Sequence, residues 1–527
     1  MTNKRARLSN TFSNGTPTSQ LTVAEAIDLI TACPEGVPRA RDAIMSLALR
    51  GGLSDQTPSG DSTTLAGADD RPPCSWPSRS IDSVMDLVTD GEHLTPPRIG
   101  TGIPLVTAKN VRDGYMDIAD TDFVSQAVAE KCWRRCAPRE GDVLMVCVGA
   151  TTGRVCVLPK MRSFVLVRSV ALLRPDTSQI SAAWLVLFLR SPEGQRQIWA
   201  GVKEQAQPCL YINRMKTMVL PLPPLAEQKR IVAKVDQLMA LCDDLEAKQN
   251  KKRDLATQST LAALAALPTA ETPADLALAW QRLEREHSWM WSISGMVDQF
   301  KKTILDLAAR GLLTSAGGAA DPGTNDGPFL LVKGWRWLRL EALASHFVDC
   351  LHSTPRCGAN GYPSIRTADV VPGRLMWRQA RLVDEKQFAE RVRRLAPREG
   401  DILYSREGER LGIAACVPPG VRLCLGQRMM HIRVRDDVDS KFVMWILNSP
   451  VVYSQAVGDT GGSTSPHVNM KDIRQFWIPV PEPNEQRRIV VVVERLMSLL
   501  DDLEAKLRKQ EQTATRLAES LAAAVAA

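Results

Sequence analysis

The strongest constraint on this chain is that it contains itself twice. The stretch PLPPLAEQKRIVAKVDQLMALCDDLEAK from Pro221 aligns without a gap to PVPEPNEQRRIVVVVERLMSLLDDLEAK from Pro479, with an offset of 258 and 17 of 28 positions identical. APREGDVL from Ala137 matches APREGDIL from Ala396 at an offset of 259, and ARDAIMSLALRGGL from Ala40 echoes FKKTILDLAARGLL from Phe300 at an offset of 260. Between them lie DGEHLTP from Asp90 against DCLHSTP from Asp349, and Gly102-x-Pro104 against Gly361-x-Pro363. The duplication begins near residue 24 with only two single-residue slips. A repeat this long settles the architecture before any local assignment, because what one copy folds into the other must fold into as well. A chain of 527 residues also exceeds what a single core usually supports.

Each copy reads as a short helix ending in Arg-Gly, a linker, a strand-rich segment and a long helix. The linkers begin at Ser54 and Thr314 and are rich in Pro, Gly and Ser. β-branched runs such as Asp142–Val148 and Asp401–Tyr404, bounded by turn formers, read as strands. The expected divisions are a tail over 1–23, a short helical segment over 24–53, a linker over 54–77, a first module over 78–220 and a long helix over 221–267. A helical segment over 268–313, a linker over 314–335, a second module over 336–478 and a long helix over 479–527 complete the chain.

The long helices carry apolar residues at alternating spacings of 4 and 3: Ile231, Val235, Leu238, Cys242 and Leu245, then Ile489, Val493, Leu496, Leu500 and Leu503. That is a coiled-coil seam. Glu227 and Glu485 sit in the first turns, where a carboxylate meets the helix dipole favourably. One such stripe alone would signify packing on a core. Two matching stripes predict an α+β fold in which two α/β modules are separated and joined by long helices pairing as an antiparallel coiled coil.

Composition narrows the function only a little. A formal net charge of +7 is compatible with a polyanionic partner but is small for this length. The twelve cysteines include no Cys-x-x-Cys pair, so reduced and mostly buried thiols are expected, with no metal site. Neither a signal peptide nor an apolar run long enough to span a membrane is evident, which predicts a cytoplasmic protein. No phosphate loop, no dinucleotide fingerprint and no Asn/Asp-Pro-Pro-Tyr/Phe signature occurs, and Arg71-Pro72-Pro73-Cys74 is not one. The chain is expected to be non-catalytic.

The combination of Asp90-Gly91-x-His93 with Pro96, Gly141-Asp142-x-Leu144 and the helix start Glu227-Gln228 with Ile231-Val232 recurs at Asp349, His352, Pro355, Gly400, Asp401, Leu403, Glu485, Gln486, Ile489 and Val490. Together these motifs resemble the specificity subunit of type I restriction-modification systems, with Cys350 departing from the glycine. The resemblance implies two target recognition domains, each reading one half of a bipartite double-stranded DNA sequence, with the helices setting the gap. It also implies two methyltransferase subunits and restriction subunits as partners. S-adenosylmethionine, ATP and Mg would then belong to those chains, with no cofactor on this one.

Comparison of the copies singles out DNA-contact candidates. Gly149 and Gly153 align with Gly408 and Gly412, but between them Ala150, Thr151 and Thr152 face Glu409, Arg410 and Leu411. Hydroxyls and guanidinium groups can read base edges, so this loop and its neighbours Arg154 and Arg406 are candidates, against the alternative of a drifting surface hairpin. Arg134 and Arg135 align with Arg393 and Arg394, a shared basic cluster suited to phosphate or simply a solvated helix face. Lys109 and Asn110, set against Arg366, rank below them. His93 and His352 have no recurring nucleophile beside them and read as turn histidines. The Gly-Asp pairs read as turns that bond their own backbone. Three other readings remain open: a recognition subunit whose partner fuses methyltransferase and nuclease, a coiled-coil scaffold that binds no DNA, and an enzyme with an unrecognised site.

Overall fold

The computed structural model describes residues 23–33, 35–53, 76–202, 207–270, 273–291, 293, 295–314, 327–351, 353–458 and 467–526. Residues 1–22, most of each linker and His352 lie outside the described residues. The chain divides into two compact units, Met1–Asn250 with Gln510–Ala527, and Lys251–Lys509.

In the first unit the strands are β1 (Ser78–Ser80), β2 (Met85–Asp90), β3 (Ile103–Val106), β4 (Asp122–Val124), β5 (Val143–Val146), β6 (Val155–Val157), β7 (Val165–Leu166), β8 (Val170–Pro175) and β9 (Val219–Pro221). Four of them form an antiparallel sheet in the order β2-β8-β5-β6, and three form a second sheet in the order β4-β3-β7, whose β3–β7 pair is parallel. The run Val143-Leu144-Met145-Val146 is apolar throughout because β5 is covered on both sides. Val143 and Met145 join the core beneath the helix Ala182–Arg190, while Leu144 and Val146 join Val106, Phe164 and Leu166 on the other side.

The second unit repeats this plan. Its strands are β10 (Arg336–Arg339), β11 (Ala344–Asp349), β12 (Tyr362–Ile365), β13 (Val370–Val371), β14 (Arg374–Leu375), β15 (Arg381–Val383), β16 (Ile402–Ser405), β17 (Ala414–Cys416), β18 (Cys424–Leu425), β19 (Met429–Val434) and β20 (Trp477–Val480). The order β11-β19-β16-β17 matches β2-β8-β5-β6, and β15-β12-β18 matches β4-β3-β7. Even an irregularity is shared: the β2–β8 register slips between Met85 and Leu87, and the β11–β19 register between Ala344 and His346. The small hairpin β13–β14 belongs to the second unit, where the first has an isolated bridge between Val111 and Met116.

The short helices Gly36–Leu49 and Met296–Ala309 both end at Arg-Gly, with Gly51 at φ 79° and Gly311 at φ 72°. In each the residue after that glycine returns its amide to a helix carbonyl: Gly52 to Leu47 at 2.9 Å, and Leu312 to Leu307 at 2.9 Å. Glycine reaches this left-handed stop without the clash a Cβ brings.

The long helices are Leu225–Ala266 and Pro483–Ala526. The first has its N-terminal part in the first unit and its C-terminal part in the second, and the other has its N-terminal part in the second unit and its C-terminal part in the first. Their apolar stripes are occupied differently from a simple two-helix seam. Ile231, Val235 and Cys242 are buried in the core that holds Val37, Ile44, Met45 and Leu49 of the short helix, and Leu238 and Leu245 pack at its edge. Ile489 and Val493 are buried with Leu305, Ala308 and Ala309 and the second module's own core. Pairing of one long helix with the other is made within the second unit, where Leu500 and Leu503 share a cluster with Ala263 and Leu264. Module and short helix outcompete a neighbouring coil at Ile231, Val235, Ile489 and Val493 because they bury these side chains almost completely, and full burial of an Ile or Val stabilises by roughly 1.5–3 kcal/mol. Leu496, which is half-buried, lines an apolar cavity with Leu267, Trp280 and Phe300.

Candidate nucleic-acid interface

Each module is built around a buried carboxylate that recurs at the same place in both. Asp142, with a side chain 2% exposed, takes both prongs of the Arg174 guanidinium, Nε to Oδ1 at 2.8 Å and Nη2 to Oδ2 at 2.9 Å, and the Arg139 amide donates to Oδ2 at 2.8 Å. Asp401 repeats the arrangement with Arg433 and the Arg398 amide, and adds His431, whose Nε2 lies 2.7 Å from Oδ2. The turn bonded to its own backbone is therefore present, and a buried ion pair lies behind it. Burial pushes the Asp401 carboxyl up, but the bonds from Arg433, His431 and the Arg398 amide outweigh it and hold the group well below the usual carboxylate range. Arg174 and Arg433 hold the frame yet lie outside the recurring motifs, although both stand at the shared offset of 259.

A buried glutamine fixes each module to its long helix. Gln228 accepts from the Ser181 amide at 2.9 Å and donates to the Gln179 and Pro223 carbonyls at 2.9 and 2.8 Å. Gln486 accepts from the Asp439 amide at 3.1 Å and donates to the Pro481 carbonyl at 3.0 Å. Ser181 and Asp439 are themselves helix N-caps, so the glutamine grips the point where a module helix begins.

From this frame four segments meet at one corner of the first module. The Cys147 amide donates to the Ser169 carbonyl at 2.9 Å, the Arg168 amide to the Glu92 carbonyl at 3.0 Å, and Arg135 Nη2 to Asp90 Oδ1 at 2.6 Å. Gly91 is required there, since a Cβ would sit 2.2 Å from the Leu166 oxygen. His93 is a turn histidine in contact with Asp90 and with Arg135, at 3.2 and 2.8 Å. In the second module the corner is rebuilt: Arg406, aligned with Cys147, donates to Asp349 Oδ2 at 3.0 Å.

The structure sorts the sequence candidates. Thr152 is buried and its hydroxyl closes the turn on the Gly149 carbonyl at 2.7 Å; Leu411, its counterpart, is buried too. Asn110 is 2% exposed and donates to the Asp117 and Asp120 carbonyls, so it holds the loop together. Arg366 bonds Asp369 in the aligned turn, and Arg406 is 7% exposed and paired. Thr152 and Asn110 are spent on the scaffold, because satisfying a buried polar group leaves none of it for a ligand, while Arg366 and Arg406 are tied by ion pairs to Asp369 and Asp349. Lys109 is exposed and paired with Asp120. Arg134, Arg393, Arg394 and Glu409 are exposed and Thr151 and Arg154 half-exposed, all without an ion pair among the described residues. Arg410 is exposed and donates to the Val370 carbonyl at 2.9 Å, which brings the loop 408–412 against the Arg366–Asp369 turn. Among the described residues the cysteines are free thiols, and no cluster of three or more His, Cys, Asp or Glu is placed to hold a metal.

The sequence profile of the type I restriction modification DNA specificity domain matches residues 102–252 and 357–511, more than half of the chain. The chain belongs to that family. Among specificity-domain relatives, the type I restriction enzyme EcoEI specificity subunit of Escherichia coli is 23% identical over 399 residues, 66% of this chain and 65% of the relative. The chain thus spans just under two thirds of the EcoEI subunit. The EcoKI specificity subunit of Escherichia coli strain K12 is 22% identical over 442 residues, 80% of this chain and 81% of that one. A solved structure from work on complex assembly and conformational transition of the type I R-M system is 19% identical, with a TM-score of 0.51 over 86% of this chain and 98% of that chain. That likeness is one of fold. Both specificity-domain segments contain the buried Asp–Arg pair and the helix-start glutamine, and these account for the repeated Gly-Asp and Glu-Gln motifs.

Proposed function

We propose that this chain is the DNA-reading subunit of a type I restriction-modification complex, each module contacting one half of a bipartite double-stranded target. The observation that carries the reading is the contrast between frame and corner. The Asp–Arg pair, the glutamine clamp and the sheet order are the same in both modules, whereas the solvent-facing residues of the Gly-bounded loop differ, exposed Ala150 and half-exposed Thr151 against exposed Glu409 and Arg410. Two readers of two different half-sites need a common scaffold and divergent contact residues. Exposed Arg134, Arg393 and Arg394 suit phosphate, which positions the protein without reading sequence. The long helices set the separation of the half-sites and present surfaces to two methyltransferase subunits, with restriction subunits completing the assembly. S-adenosylmethionine, ATP and Mg reside on those partners, and this chain contributes no catalytic group. No helix among the described residues is long and apolar enough to cross a membrane.

The test is co-expression with the cognate methyltransferase and genome-wide mapping of modified adenines. A single two-part motif with a fixed gap is expected. An assembled, active complex that modifies without such a motif would replace the DNA-reading role by that of a scaffold.

A further inference from the structure

Arg428 is one of two non-glycine residues with positive φ among the described residues, at 66°. A side chain with a Cβ resists this left-handed conformation, and such residues persist where their surroundings over-determine them. The surroundings here are charged. The Arg428 carbonyl accepts from the Arg406 amide at 3.2 Å, and its Nε lies 3.3 Å from Glu407 Oε2. Glu407 also lies 3.7 Å from Arg406 Nη2, which reaches Asp349 at 3.0 Å. The Arg428 side chain is nevertheless 57% exposed, and its Nη1 passes over Gly408, where a Cβ would stand 3.9 Å away.

The turn does not need this strain. In the first module the residues aligned with Arg406, Glu407 and Arg428 are Cys147, Val148 and Ser169. The same backbone bond forms there, Cys147 amide to Ser169 carbonyl at 2.9 Å, and Ser169 is not among the residues with positive φ. The left-handed arginine and its carboxylate partner are thus an addition of the second module. With Nε held by Glu407, the two terminal nitrogens are presented as a fork with no further bond among the described residues.

We infer that Arg428 is a specificity-determining residue that reads a guanine edge in the half-site of the second module, with Glu407 as the positioning residue that aims it. A guanidinium fork matches the O6 and N7 acceptors of guanine in the major groove. The inference rests on the DNA-reading role proposed above.

The experiment compares complexes of the methyltransferase with the wild-type chain, Arg428→Gly, Arg428→Lys and Glu407→Gln by mapping modified adenines and by melting temperature. Arg428→Gly is expected to relax one base position of one half-site, losing about 5- to 150-fold in discrimination there. The other half-site and the gap stay as they are. Its melting temperature holds or rises, because glycine accepts the backbone conformation that arginine resists. Arg428→Lys keeps charge without the fork and relaxes the same position. Glu407→Gln relaxes that position alone, whereas a merely structural role would leave the motif intact. An unchanged motif with Arg428→Gly and Arg428→Lys overturns the inference. So does a uniform fall in modification with the motif preserved, which would assign Arg428 to phosphate. A wild-type complex with no two-part motif would instead overturn the DNA-reading role itself.

Discussion

Arg433 closes on Asp401 with Nε 2.8 Å from Oδ1 and Nη2 2.7 Å from Oδ2, the two-pronged contact that Arg174 makes with Asp142 in the first unit. Both arginines also reach a carbonyl in the turn before the aspartate, Ala396 for Arg433 and Ala137 for Arg174, each at 2.9 Å. A buried charge is tolerated only when paired and fully hydrogen-bonded, so this pair ties the end of β8 or β19 to the turn that starts the neighbouring strand, β5 or β16.

Removing one partner strands the other. Arg433→Met is expected to destabilise the second unit by about 3–5 kcal/mol, read as a shift of its denaturation midpoint. His431→Leu restores what Leu172 supplies in the first module and leaves Arg433 and the Arg398 amide on Asp401, so its cost should stay below about 2 kcal/mol. A larger loss for His431→Leu than for Arg433→Met would contradict this ranking.

The same pair sets an acid limit. The folded Asp401 carboxyl is held below its unfolded value, so its contribution is complete above about pH 4 and is lost as the pH falls through the lower, folded value. Acid titration of stability should therefore show a steep decline below about pH 4 that Arg433→Met flattens. An identical slope in the two proteins would show that the decline arises elsewhere.

The glutamine clamps are expected to be structural. Gln228→Leu leaves the Ser181 amide without its acceptor, and Gln486→Leu does the same to Asp439, each costing about 1–3 kcal/mol. Hydrogen exchange at those amides should rise in the variant of the corresponding unit and not in the other.

Loop exchange separates scaffold from contact. Swapping Ala150-Thr151 with Glu409-Arg410 should alter base preference in the half-sites with little loss of stability, since three of the four are exposed and Thr151 half-exposed. Including the third position is expected to cost about 1–3 kcal/mol, because Leu411→Thr puts a hydroxyl into the core and Thr152→Leu removes the bond to Gly149.

The exposed arginines carry an ionic-strength signature. Neutralising Arg393 and Arg394 together should weaken DNA binding across all sequences and reduce the slope of log affinity against log salt by about 1 for each phosphate that is no longer neutralised. An unchanged slope would leave them as an ordinary solvated helix end.

What was legible in the sequence followed from spacing along the chain. The repeat at offsets near 259, the Arg-Gly helix ends, the apolar runs of β5 and β16 and the stripes of the two long helices are local periodicities, and local backbone preference is enough to express them. Tertiary structure decided which partner each stripe would meet. Ile231 and Val235 went to the short helix and the module, while Leu500 met the end of the other long helix, because a periodic stripe states that a face is buried but not by what. It also decided which polar residues were spent on the fold. Thr152, Asn110 and Arg406 look in sequence like free donors, and only their neighbours at 2.7–3.0 Å consume them. Arg428 gave no signal in the sequence, since left-handed backbone at an arginine is imposed by the residues folded around it.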